Sequence, residues 1–159
     1  MLDVRGDLYD AYRLMEKRVR AVSRQDPVCK LLMTAPGVGP ITALSFKAAI
    51  DDPTRFKSSR LVGAHFGLTP RRFHSGEMDN TGRISRAGDR DVRATLYIAA
   101  NSLLIVSGKP SSLKSWGLKL IRTKGVRRAR IAVARKLAVI LHRMWVTNTP
   151  FQTEGARMI

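Results

Sequence analysis

Residues 127–145 read RRARIAVARKLAVILHRMW. Ala129, Val133, Leu137, Ile140, Leu141 and Met144 fall at i, i+4, i+8, i+11, i+12 and i+15, which is one face of a helix. Arg128 and Arg135 stand seven apart, as do Lys136 and Arg143, so the basic residues lie on the flanks of that stripe. A face this apolar has to be covered by other elements, and the sequence on its N-terminal side reads as helices that can do so.

Working upstream, Leu113, Trp116, Leu120 and Ile121 give the apolar face of a helix bounded by Ser107-Gly108-Lys109-Pro110 and Lys124-Gly125, with Gly117 as its weak point. Residues 89–106 put Val92, Leu96, Ala99 and Leu103 on one face, with Asp89 placed to cap the start and Asp91 to complement the dipole. Shorter helices are expected over 58–66, 41–50 and 28–33, the last opened by Asp26-Pro27. At the start, Leu8, Tyr12, Met15, Val19 and Val22 form a stripe on a helix over 3–24, narrow enough to suit a partner helix better than a broad core.

The expected class is therefore all-α. A coiled-coil-like helix occupies 1–26, a compact helical domain 27–147 and a frayed tail 148–159. No stretch alternates long enough for a major sheet; residues 67–88 read as a loop with room for a short hairpin.

Charge narrows the function. The formal net charge is +17, and between Val92 and Thr153 there is no Asp or Glu, while Lys109, Lys114, Lys119, Arg122, Lys124, Arg127, Arg128, Arg130, Arg135, Lys136 and Arg143 crowd the same stretch. A field so one-sided points to a polyanionic partner, nucleic acid. No apolar run approaches the ~20 residues that span a bilayer, and the first residues lack the order of a signal peptide, so no membrane partner is expected and a cytoplasmic location is, on the nucleoid if the source is bacterial. Cys29 is the one cysteine and cannot form an internal disulfide; with His65, His74 and His142 scattered, no zinc spacing and no metal site is expected.

Two segments carry candidate chemistry. Ala35-Pro36-Gly37-Val38-Gly39-Pro40 between two helices has the layout of a helix-hairpin-helix, in which Gly37 and Gly39 would let backbone amides converge on a phosphate; a tight connection without a ligand fits the same residues. Between Pro70 and Arg93, Arg71, Arg72, Arg83, Arg86, Arg90 and Arg93 surround Ser75 and Ser85. Fixed cations are what attack on a phosphodiester requires, and a serine hydroxyl can be the nucleophile if its proton has an acceptor. Ser75 lies between His74 and Gly76; Ser85 is the competitor, and arginines that bind DNA with no reaction fit equally. No set of three or four convergent carboxylates is evident for a two-metal nuclease.

The order of LLMTAPGVGPITALSF, FKSSRLVGAHFGLTPRRFHSGE and TGRISRAGDRDVRATLYIAA resembles the C-terminal transposase domain of the bacterial insertion-sequence recombinases that join a DEDD RuvC-like domain to a serine-bearing one and are guided by a bridge RNA. The resemblance covers about residues 28–145. It implies DNA cleavage and rejoining through a covalent phosphoserine at Ser75, in the Ser-Gly element after Gly67-Leu68-Thr69-Pro70. By the same resemblance the Gly82 to Asp89 run and Arg93 join the site and Pro36-Gly37-Val38-Gly39 matches the family's hairpin, while the charge pattern of the last helix adds Arg128 and Arg135 as nucleic-acid contacts. Magnesium is expected in the RuvC-like domain and no cofactor in this chain. Guide RNA and a RuvC-like domain in cis or trans are the partners it implies, and the narrow stripe of the N-terminal helix adds a homo-oligomer joined through that helix. These residues contain no RuvC-like half, so a C-terminal fragment is expected that does not complete recombination alone. The alternative is a non-catalytic helix-hairpin-helix module that binds nucleic acid.

Overall fold

The computed structural model describes the backbone of residues 2–75 and 78–153 and the side chains of residues 4–70 and 83–153. In chain order the elements are α1 (Leu2–Gln25), α2 (Pro27–Leu32), α3 (Pro40–Ile50), a 3-10 turn (Pro53–Arg55), α4 (Arg60–His65), strands β1 (Pro70–Ser75) and β2 (Met78–Ile84), α5 (Arg90–Asn101), a π-helical segment (Ser102–Val106), α6 (Ser112–Lys124) and α7 (Val126–Thr147).

α7 is the axis of the helical body and packs against α2, α4, α5, α6 and the 3-10 turn. Its buried face is Ala129, Val133, Ala134, Leu137, Ala138, Leu141, His142 and Met144. The expected stripe is thus present, broadened by two alanines that let neighbouring helices approach, with Ile140 only partly buried at the margin. Phe46 of α3 and Phe66 after α4 meet in the core with ring centroids 5.7 Å apart and planes tilted by 53°, an arrangement that adds to simple area burial. Gly117 has a packing reason: a Cβ there would lie 2.5 Å from Leu104 Cδ2 and 2.8 Å from Val133 Cγ2, so α6 can seat only without a side chain at that point.

Local chemistry sets the ends of the elements. Asp26 caps α2 by accepting from the Cys29 amide at 2.9 Å, and its other oxygen pairs with Lys47 Nζ of α3, fastening the two helices together. The Lys47 hydrogen bond is the largest influence on the Asp26 carboxyl and holds its pKa below the ordinary value. Burial pushes the Cys29 thiol up to about 11, in keeping with a small core residue rather than a reactive one. Asp89 accepts from the amides of Asp91 and Val92 at the start of α5, as the sequence suggests.

Three features bear on the expected outline, two departing from it and the last in keeping with it. The helix over 89–106 is not uniform: beyond Asn101 it widens, and the Ser107 amide donates to the Ser102 carbonyl at 2.8 Å, five residues back. β1 and β2 pair as an antiparallel hairpin where mostly loop is expected, in an otherwise all-α body. Its register pairs Pro70 with Ile84, Arg72 with Thr81, Phe73 with Asn80, His74 with Asp79 and Ser75 with Met78, and shifts between Pro70 and Arg72. Such an irregularity twists and bends a hairpin locally. Finally, α1 packs on α2 and α3 with Ser23 buried near its end, while Val4, Leu8, Tyr9, Tyr12, Leu14 and Met15 are exposed.

Candidate nucleic-acid interface

The expected residues divide into three groups by where the fold puts them. The first lies at the junction of the hairpin with α5. Gly67 and Gly88 both have positive φ, 65° and 72°, and neither has room for a side chain. A Cβ on Gly67 would lie 2.3 Å from the Ala87 carbonyl oxygen, and one on Gly88 would lie 2.0 Å from the His65 carbonyl oxygen. The two backbone segments therefore press directly together. They are hydrogen-bonded as well, Ser85 N to Thr69 O at 2.9 Å and Arg86 N to Gly67 O at 3.1 Å.

Arg93 closes this junction from α5. Its Nη1 donates to the Phe66 carbonyl at 3.0 Å and the Ala87 carbonyl at 2.9 Å, which uses both hydrogens of that nitrogen. Arg83, Arg86 and Arg90 surround the same junction and are exposed. Arg86 takes a left-handed backbone, φ 57°, a conformation that costs roughly 1–2 kcal/mol away from glycine and persists only where surrounding contacts enforce it.

Ser75 forms the second group. The backbone register puts it at the end of β1 opposite Met78, five residues from Pro70, or ~17 Å at the usual rise per strand residue. The fold thus separates it along the hairpin from Arg86, Arg90 and Arg93. The side chains of Ser75, Arg71 and Arg72 lie outside the described residues.

The third group lies on α6 and α7. Arg127, Arg128, Lys119, Arg122 and Lys124 are exposed. Lys136 Nζ sits 4.7 Å from the centroid of the Trp116 ring, a cation–π contact between the two helices. Desolvation, and then repulsion from Arg135, lower the Lys136 pKa. Arg135 is half-buried, its stem filling the space that Gly63 leaves open: a Cβ there would lie 2.8 Å from Arg135 Cγ. Arg130 lies over Tyr97 at 5.9 Å and reaches its hydroxyl at 3.5 Å. Among the described residues the ion pairs are Glu16–Arg20 and Asp26–Lys47, so none of the α6 and α7 cations meets a carboxylate there.

Gly37 and Gly39 separate in role. Gly37, φ 84°, faces inward, and a Cβ would lie 2.4 Å from the Ala99 carbonyl and 2.7 Å from the Leu103 amide. Close backbone approach to α5 accounts for that glycine. Gly39 is the N-cap of α3, followed by Pro40, and a Cβ there meets nothing within 4 Å.

Sequence reading passed over His142. It is buried, with Nε2 donating to the Pro53 carbonyl at 2.9 Å and Nδ1 2.9 Å from the Ser59 hydroxyl. A carbonyl can only accept, so Nε2 carries a hydrogen and the ring pins α7 to the 3-10 turn and to the start of α4. Its signal in the sequence is a histidine on the apolar face, at i+1 from Leu141, with no carboxylate nearby. Among the described residues no group of three or more His, Cys, Asp or Glu side chains could hold a metal ion, and no helix is long and apolar enough to cross a membrane.

Set beside known proteins, this cationic helical domain with its clamped hairpin falls among the transposases of bacterial insertion sequences. The profile of the transposase IS116/IS110/IS902 family matches residues 29–116, and the chain belongs to that family. It is 32% identical over 146 residues to the putative transposase y4pF/y4sB of Sinorhizobium fredii, covering 90% of this chain and 38% of that protein. It is 35% identical over 139 residues to the transposase for insertion sequence element IS1111A of Coxiella burnetii, covering 87% and 37%. A probable family 20 transposase of Pseudomonas aeruginosa is 29% identical over 128 residues, covering 80% and 38%. The chain therefore spans less than two fifths of the length of these three relatives.

Proposed function

We propose that this chain is a nucleic-acid-binding portion of an insertion-sequence transposase, holding DNA phosphates against the cationic face of α6 and α7. The observation that carries this is the absence of any acidic residue between Val92 and Thr153, in a stretch whose basic side chains have no carboxylate partner among the described residues. Phosphate is the counter-charge such a surface lacks. In this reading the α2–α3 connection acts as a helix-hairpin-helix element through Gly39, which leaves the start of α3 open to close approach, while Gly37 serves packing. Binding of a fluorescent duplex, followed by anisotropy across a salt series, tests it. The log of the affinity should fall steeply with log salt, and Arg128→Gln should reduce that slope by ~0.9. An affinity indifferent to salt would overturn it.

A second reading, strand cleavage and rejoining by Ser75, is favoured by the position of that residue at the far end of a hairpin projecting from a family-matched domain. In it the Ser75 oxygen attacks phosphorus, its proton passes to a base, and the bond to a deoxyribose oxygen breaks as that oxygen is protonated. Arg86, Arg90 and Arg93 lie beyond the base of the strands, so in this reading Arg71, Arg72 and Arg83 on the strands, or another protein, supply the cations that hold the developing charge. Resemblance assigns guide RNA and a RuvC-like domain to the complete assembly, and the exposed apolar side chains of α1, Leu8 and Met15 among them, suit self-association. Magnesium belongs, by the same resemblance, to the RuvC-like domain. A denaturation-resistant protein–DNA adduct that vanishes in Ser75→Ala supports this reading, and an undiminished adduct in that variant removes Ser75 from it.

A further inference from the structure

We infer that Arg93 is a positioning residue rather than a phosphate ligand: its guanidinium locks the base of the 70–84 hairpin to the helical body and so sets where the far end of the hairpin points. The inference deepens the second reading above and rests on it for its meaning, though not for its test.

Four observations converge on one junction. Arg93 Nη1 bridges two main-chain carbonyls, of Phe66 in the segment that leads into the hairpin and of Ala87 in the segment that leads out of it. These carbonyls belong to the two segments that flank the hairpin, so one side chain ties both of its legs to α5. Gly67 and Gly88 allow those legs to touch without intervening side chains. The amides of Ser85 and Arg86 cross-link the same legs to Thr69 and Gly67. Arg86 holds a left-handed backbone, which makes the bend between hairpin and helix a fixed one. Arg93 is half-buried, unlike Arg83, Arg86 and Arg90 around it.

The geometry explains why arginine suits the position. A charged donor to a carbonyl makes a stronger hydrogen bond than a neutral one, and a planar guanidinium presents its two hydrogens at a fixed angle. The register irregularity between Pro70 and Arg72 lies immediately beyond the junction, so any rotation there would be magnified along the strands.

Amide hydrogen exchange and salt-dependent duplex binding, measured on the same variants, separate the two roles of Arg93. In Arg93→Gln the Ser85 and Arg86 amides should exchange about tenfold faster or more, while the salt slope of binding stays that of the parent. In Arg86→Gln, an exposed neighbour, their protection should be retained. Arg93→Lys keeps the charge and tests geometry in a milder variant: the same amides should again exchange faster with the slope unchanged. Unaltered protection in both Arg93 variants, or a slope reduced by ~0.9 in Arg93→Gln with protection intact, would overturn the inference. Absence of a Ser75 adduct in the parent protein would defeat the cleavage reading alone and leave these exchange results readable.

Discussion

Glycines show how one atom decides a position's role. Gly37 and Gly39 look equivalent in Pro36-Gly37-Val38-Gly39, yet one abuts the backbone of α5 and the other faces open space. Gly37→Ala combines a positive φ with a 2.4 Å clash against a carbonyl and should destabilise the fold by ~2–3 kcal/mol. Gly39→Ala should cost no more than ~1 kcal/mol, the difference between glycine and alanine at an N-cap. Thermal or urea unfolding of the two variants checks the contrast. The sequence made the need for glycine in this turn legible, because only a tight connection uses two so close together. Which of them was free to meet a ligand was not legible, because that depends on α5, some sixty residues later. Arg93 illustrates the same limit: an arginine among arginines reads as a phosphate contact, and the Phe66 and Ala87 carbonyls that its Nη1 bridges come into view only with the fold.

Among the elements, the helices were legible and the hairpin largely was not. Helical periodicity in 127–145 repeats over five turns and survives noise, whereas residues 70–84 offer strand spacing too short and too polar to stand out. The hairpin is held at its base by the glycine contacts and Arg93, contacts made across the chain rather than encoded locally. The start of α2 gives a test of how the elements are fastened. Asp26 has a folded-state pKa lowered chiefly by Lys47, so the stability it contributes is complete above the unfolded value of ~3.9 and is lost as pH falls through the lower folded value. Asp26→Asn retains a capping side chain but not the ion pair. It should lower stability at neutral pH by ~1 kcal/mol, reduced by the partial exposure of Lys47, and flatten the loss on acidification below about pH 4. Urea unfolding at a series of pH values measures both.

At the scale of the molecule, a charge of +17 with few opposing carboxylates makes the folded state repel itself. Screening relieves that repulsion, so raising ionic strength from low to moderate should stabilise the fold by ~1 kcal/mol, or roughly 2–4 °C in melting temperature for a chain of this size. The same salt weakens nucleic-acid binding, and opposite responses of stability and affinity are the signature of an electrostatic surface built for a polyanion. A melting temperature that falls with salt would mean that the cations are balanced within the fold. The charge asymmetry was legible from composition because it requires no knowledge of contacts, while its division into exposed cations on α6 and α7 and packed ones at Arg130, Arg135 and Lys136 required the helices to be in place.

α1 is 24 residues long, or ~36 Å, and is buried against α2 and α3 near its C-terminal end. Geometry makes such a rod a lever: tilting it by ~10° about that seat sweeps its far tip through ~6 Å. A load applied there is felt as torque at Asp26 and Lys47, where a carboxylate and an ammonium act as the latch.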